Sequence, residues 1–442
     1  MKFSSLPLVT GMFLRKLSRW RVLALLLGIL VSSSLRAQEL GDANVPDKQT
    51  LRLLLSRIDK LEARVQQLEA ERQHAVPASP EPVPLPTQTN APPNNETEPQ
   101  QTRAAEPERM DLSETLLRMR GFGDVTLHGS NQRGDTTSFS LGQLNLFVTS
   151  DVSERFKFLS EIVFEAGPLL GLPTNSFDVD VERYLLQYSY NDHFQLAVGR
   201  YHTAIGYYNT AYHHSTWFQT TTGRPFLFAF EDQGGILPIH NVGVSASGLL
   251  PSGRLGLHYV AEIGNGRSSR LPLTEEPVQN KVDENSHKAF NVALFARPQA
   301  VSGLQVGFSF YRDLLTPAAA PRIGESILAG HAVWTRSNYE WLNEALLIRH
   351  APQGLATVFN TPGFYTQISR RFGPYQPYFR YQYVNVGRKE PVFPDIGLRQ
   401  GPSIGLRYDA SDSVALKLQY DYTALRGQSG VNGLALQLGF TF

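Results

Sequence analysis

Along the C-terminal two-thirds of the chain, large apolar side chains recur at every second position. In "LQVGFSF" the row is Leu304, Val306, Phe308 and Phe310, and in "SVALKLQYDY" it is Val414, Leu416, Leu418, Tyr420 and Tyr422. The last twelve residues, "VNGLALQLGFTF", place Leu434, Leu436, Leu438, Phe440 and Phe442 in one row with small or polar side chains between them. A period of two marks a strand whose two faces meet different surroundings. About sixteen such segments are expected between 123 and 442, with fourteen or eighteen as neighbouring counts. "RYLLQYSY" and "YEWLNEALLIRH" carry apolar residues in both phases, so which face they bury stays open.

Connections between these segments alternate in length. "YNDH", "PSG", "FGP" and "ASD" are short, whereas 202–238, 264–287 and 387–400 are long. This rhythm, with lipid-sized alternating strands, predicts an all-β fold: a transmembrane antiparallel β-barrel with short periplasmic turns and long external loops. The terminal row is then expected to face lipid, with Phe442 in an aromatic girdle at the inner interface. A soluble sandwich or secreted barrel accounts for the strands but not for those girdle residues.

The first 122 residues follow other patterns. Lys2, Arg15, Lys16, Arg19 and Arg21 precede "VLALLLGILV", and Ala37 offers a small residue for cleavage, so 1–37 is expected to be a secretory signal peptide. After a short lead at 38–47, Leu51, Leu54, Ile58, Leu61, Val65 and Leu68 repeat at heptad spacing over 48–73. Arg57 with Glu62, and Arg64 with Glu69, suit the flanking charged positions of a short coiled coil. Its β-branched and Leu positions lean towards two strands. Residues 74–108 are rich in proline and read as an extended linker. "MDLSETLLRMR" then predicts a short helix and lead-in over 109–122, with Leu112, Leu116 and Leu117 on one side.

Composition fits this picture. Cysteine is absent, which excludes disulfides, thiolate metal sites and cysteine nucleophiles. Charged residues are 18% and mean hydropathy is slightly negative, which excludes a helical membrane protein but not a barrel with alternate apolar positions. Removing 1–37 leaves 35 bases against 40 acids, a balance that argues against nucleic acid as a partner.

The stretch "VGRYHTAIG" (Val198 to Gly206) and the ending "LGFTF", in this layout, resemble trimeric outer-membrane porins with an N-terminal coiled coil. The layout is similar to that of the phosphate-selective porin superfamily and of dicarboxylate-type coiled-coil porins. "YNTAYHHSTWFQTTTGRPF" resembles an uncharacterised group of outer-membrane barrels. The resemblance implies a Gram-negative outer-membrane homotrimer, with lipid outside, small hydrophilic solutes in the lumen, and the coil in the periplasm near the cell wall. The coil pattern leaves a dimer open. Only five lysines follow Met119, so no lysine ladder for phosphate is present.

A barrel this wide leaves a lumen that its longest loop, 202–238, is expected to narrow. "FEDQGG" places Glu231 and Asp232 near the narrowest point, and strand phase turns Arg380, Arg407 and Lys417 inward on three consecutive strands. Opposed in this way, they are expected to set a transverse field favouring polar solutes. Solvated wall charges are the plainer reading. The loop's aromatics, Tyr207, Tyr208, Tyr212, Trp217, Phe218, Phe226, Phe228 and Phe230, suit either simple packing or a stacking track for sugars or aromatic acids. His202, His213, His214 and His240 lack metal-ligand spacing, so no metal and no cofactor is expected. No serine–histidine or acid pair singles itself out as catalytic, which leaves a passive channel, an envelope tether and a barrel enzyme as the function classes.

Overall fold

The computed structural model describes residues 117–169, 172–212, 216–230, 235–268, 282–317 and 320–442. The expected signal peptide, heptad positions Leu51, Leu54, Ile58, Leu61, Val65 and Leu68, and proline-rich linker lie outside the described residues. Sixteen strands follow in chain order: β1 (Leu117–Ser130), β2 (Ser138–Asp151), β3 (Phe156–Leu169), β4 (Leu172–Asn191), β5 (Phe194–His202), β6 (His240–Leu249), β7 (Leu257–Gly264), β8 (Ala289–Ala296), β9 (Leu304–Leu315), β10 (Ile323–Arg336), β11 (Tyr339–Pro352), β12 (Phe359–Arg370), β13 (Tyr375–Asn385), β14 (Leu398–Ser411), β15 (Val414–Leu425) and β16 (Val431–Thr441). Each pairs with its sequence neighbours, and β16 closes on β1 through Gly123↔Phe440, Thr126↔Gln437 and their neighbours. The result is a closed antiparallel transmembrane barrel, as the alternation predicts.

One boundary differs. The stretch expected to make a short helix becomes strand from Leu117 onward, pairing Leu117↔Ser150 to Phe122↔Asn145 with β2. An isolated turn of helix is marginal in water, whereas each residue added to this ladder gains an inter-strand partner. Leu117 and Met119 point away from the barrel, 59% and 64% exposed, while Phe122 is buried.

The outer face is apolar in row after row: Ile404 and Leu406, Leu416 and Leu418, Leu434, Leu436 and Leu438 are all exposed. The longest connections, 203–239, 265–288 and 386–397, all lie at one end of the barrel (the loop end), opposite the end (the turn end) that carries two-residue turns such as 192–193, 337–338 and 412–413. The inner face is less uniform. On β9–β13 it presents Tyr311, Ile327, Val333, Leu342, Leu346, Ile348, Tyr365 and Val384, and these form a buried apolar cluster with residues of 203–239. The core of this molecule therefore sits inside the barrel, between its wall and one long loop.

Candidate functional site

The loop 203–239 leaves and returns at a single pinched base. Thr203 N donates to Ile239 O at 3.0 Å, and Asn209 Nδ2 donates to both Thr203 O and Ile239 O. Just inside, Ala204 N donates to both carboxylate oxygens of Glu262, on β7. Gly206 then turns the chain at φ +71°, so close to the wall that a Cβ there would stand 2.3 Å from Glu344 Oε2. Only glycine combines that backbone with that approach. Glu344, on β11, accepts from Tyr207 N at 2.5 Å, Tyr208 N at 3.0 Å and Tyr365 Oη at 2.6 Å. The single helical turn α1 (Tyr208–Ala211) starts on that carboxylate. Glu340, four residues back on the same face of β11, accepts from Tyr212 Oη, Thr220 Oγ1 and Gln367 Nε2. Carboxylates on one wall thus take the loop's donors.

The opposite wall reverses the polarity. Lys417 Nζ donates to Thr216 O and to Thr221 O, the latter at 2.9 Å. Arg407 Nη1 donates to Trp217 O at 2.7 Å and Gln219 O at 2.9 Å, while its Nε bonds Asp409. Arg380 Nη1 reaches Thr221 Oγ1 at 3.1 Å and Gly223 O at 2.9 Å. Glutamines fill the gaps: Gln437 donates to Thr222 O, while Gln419 and Gln382 accept from Thr222 N and Phe226 N. Trp217 and Phe218 pack on Phe122 of β1. The loop therefore spans the lumen with amides bonded to acids at one side and carbonyls bonded to cations at the other. Charge-assisted bonds of this kind are the stronger ones.

Arg380, Arg407 and Lys417 lie on the lumen side of three consecutive strands, as strand phase places them. They are 2%, 7% and 1% exposed, so they meet the loop's backbone and not an open water face. Glu231 and Asp232 lie outside the described residues. The carboxylates missed by sequence reasoning are Glu262, Glu340 and Glu344. A signal existed for two of them: in "YEWLNEALLIRH" Glu340 and Glu344 share a phase with Leu342 and Leu346, a pattern of acids on a buried face. A second group at the loop end was also missed. His350 bonds Glu325 at 2.7 Å and also Glu390, while Arg267 pairs with Glu325 and donates to Ile236 O at 2.7 Å. This cluster ties connections 265–288 and 386–397 to the returning arm of the crossing loop.

Tyr207, Tyr208 and Tyr212 all titrate above the usual phenol range. Burial is the main cause, reinforced by the Glu340 charge for Tyr207 and Tyr212, and opposed by Arg224 for Tyr208. They remain protonated at any envelope pH. The aromatic residues of this loop mostly pack: Tyr208 stacks on Phe228 and sits edge-on to Tyr365. The rings of His202 and His240 come together at 4.9 Å, and His240 Nε2 bonds Glu182. His213 and His214 lie outside the described residues. Among the described residues no three His, Cys, Asp or Glu side chains form a group that could hold a metal ion.

Cavities among the described residues open into the lumen. One, about 540 Å³, lies at the loop end and is lined by His128, Arg133, Asp135 and Asp421. Another, about 520 Å³, lies at the turn end beneath Tyr207 and α1, against β5–β10.

No protein-family model and no curated protein matches the sequence. Among solved structures the chain is similar to OmpF of Salmonella typhi in complex with daunomycin, with 11% identity and a TM-score of 0.51 over 74% of this chain and 97% of that one. It is also similar to the anion-selective porin from Comamonas acidovorans, with 11% identity and a TM-score of 0.50 over 74% of this chain and 100% of that one. The likeness is one of fold: this is the sixteen-strand barrel of Gram-negative outer-membrane porins.

Proposed function

We propose that the protein is an outer-membrane diffusion channel for small hydrophilic solutes, assembled as a homotrimer. One observation carries the reading: the longest loop crosses the lumen of a closed barrel and is pinned at both sides, with a cavity at each end. A loop held in this way narrows a wide barrel without sealing its mouths. Arg380, Arg407 and Lys417 then set the aperture by fixing the loop's tip, and Glu231 and Asp232 contribute the acids of the same constriction. The wall cations named above are engaged by backbone carbonyls of the loop, and Glu262 and Glu344 by its backbone amides, an arrangement that favours a channel over a barrel enzyme. The heptads of 48–73 support a coiled coil on the periplasmic side, so that a tethering role coexists with transport.

Liposomes containing the purified full chain provide the test. They are expected to swell in isotonic sugars and small organic acids at rates that fall with solute size. Liposomes that swell no faster than protein-free ones, although the barrel is folded, would contradict the channel reading. Deleting 48–73 should leave swelling intact and change the oligomer seen by chemical cross-linking.

A further inference from the structure

The turn-end cavity, about 520 Å³, falls within the range of small-molecule sites, about 300–1,000 Å³. We propose that it is a transit subsite for a neutral saccharide of one or two rings. The inference rests on the channel reading and names the solute class that this part of the lumen holds.

Ring faces supply the first half of the case. Tyr207 roofs the cavity, its ring 5.9 Å from that of His331. On the wall, His258 and Phe295 stack at 4.9 Å with planes 8° apart. These two rings cover one face of each other, so the Tyr207 ring is the surface offered to the C–H face of a pyranose, with the stacked pair as an apolar wall beside it.

Polar groups supply the second half. α1 buries Tyr208 and Asn209 and turns Thr210 to the cavity, where it is exposed. Gln305 Nε2 and His331 Nε2 lie 3.1 Å apart, which leaves His331 Nδ1 without a hydrogen-bond partner among the described residues although the side chain is 7% exposed. A buried ring nitrogen in that state is an unmet hydrogen-bonding position in the cavity wall. Hydroxyl groups, which donate and accept, suit it.

Charge decides between solute classes. Besides two histidines and two tyrosines, Arg297 and Asp192 are the ionisable residues lining the cavity, one of each sign. Arg297 is further engaged, its guanidinium 5.2 Å over Phe295 and its Nε donating to Gln305 at 2.9 Å. No surplus cation is left for a carboxylate or phosphate. The chemistry is that of sites that take neutral, ring-shaped, many-hydroxyl ligands.

Calorimetric titration of the detergent-solubilised full chain with maltose, glucose and benzoate tests the proposal without requiring conduction. Saturable maltose binding is expected, weakened about tenfold or more by Tyr207→Ala and by Phe295→Ala, and kept by Tyr207→Phe. Benzoate is expected not to bind. A folded chain that binds no saccharide, or binds maltose equally well in both alanine variants, would overturn the proposal. So would benzoate binding that disappears in Arg297→Gln, which would make the subsite anionic. Bilayer conductance is read separately: its absence strikes the channel reading, whereas a conducting chain without saccharide binding strikes only this inference.

Discussion

Lys417 is 1% exposed, yet it carries an ammonium group into the middle of a barrel. Its donors reach Thr216 O and Thr221 O, so the charge is matched by carbonyl dipoles at the loop's tip. Hydrogen bonds to a charged group contribute about 1.5–3 kcal/mol each. Lys417→Met therefore frees the tip by an amount of that order, and single-channel recordings should show larger and more variable conductance than wild type. An unchanged conductance would remove Lys417 from the constriction. Tyr212 makes a pH-dependent counterpart on the acid side. Its hydroxyl donates to Glu340 at 3.1 Å, which requires the proton. Burial, then the Glu340 charge, raises its pKa well above the ordinary value near about 10. A group raised on folding lends its stability fully below the unfolded pKa and loses it as pH climbs towards the folded one. Conductance should change above about pH 10, and Tyr212→Phe should flatten that alkaline change.

At the scale of elements, the β1–β16 seam is a demanding junction. Gly121 and Gly123 lie under the rings of Phe442 and Phe440, where a Cβ would stand 2.2 Å and 2.6 Å from ring carbons. Gly123→Leu should therefore lower the folded, heat-modifiable fraction on gels, since the ring has to leave its place for the seam to form. Strand number and order were legible in the sequence because each face meets one medium and alternation records it. The ambiguity of "YEWLNEALLIRH" also has a physical cause. β11 is apolar outside at Trp341 and Leu347, for the membrane, and apolar inside at Leu342, Leu346 and Ile348, for the loop. The first strand's start was not legible, because "ETLLRMR" satisfies a helical stripe as readily as a ladder. The cations of β13–β15 were found by phase alone. What they bind was not, because backbone carbonyls of a loop some two hundred residues away in sequence leave no mark in side-chain patterns (Lys417 and Thr216 are separated by 201).

For the whole molecule, the account is a lipid-facing cylinder whose lumen is crossed by a loop slung between carboxylates and cations. Its stability is shared: apolar packing holds the loop to β9–β13, and charged hydrogen bonds hold its tip to β13–β15. The loop-end cluster of Arg267, Glu325, His350 and Glu390 adds a third attachment, so single substitutions should loosen the crossing without emptying the lumen. Only removal of the loop does that. Paired planar-bilayer recordings therefore test the central claim most directly, comparing the full chain with a variant in which 206–238 is replaced by a short glycine–serine link. The full chain should give stable steps, and the variant steps several times larger with weaker discrimination by solute size. Equal steps from the two folded proteins, or no steps from either, would contradict a lumen narrowed by this loop.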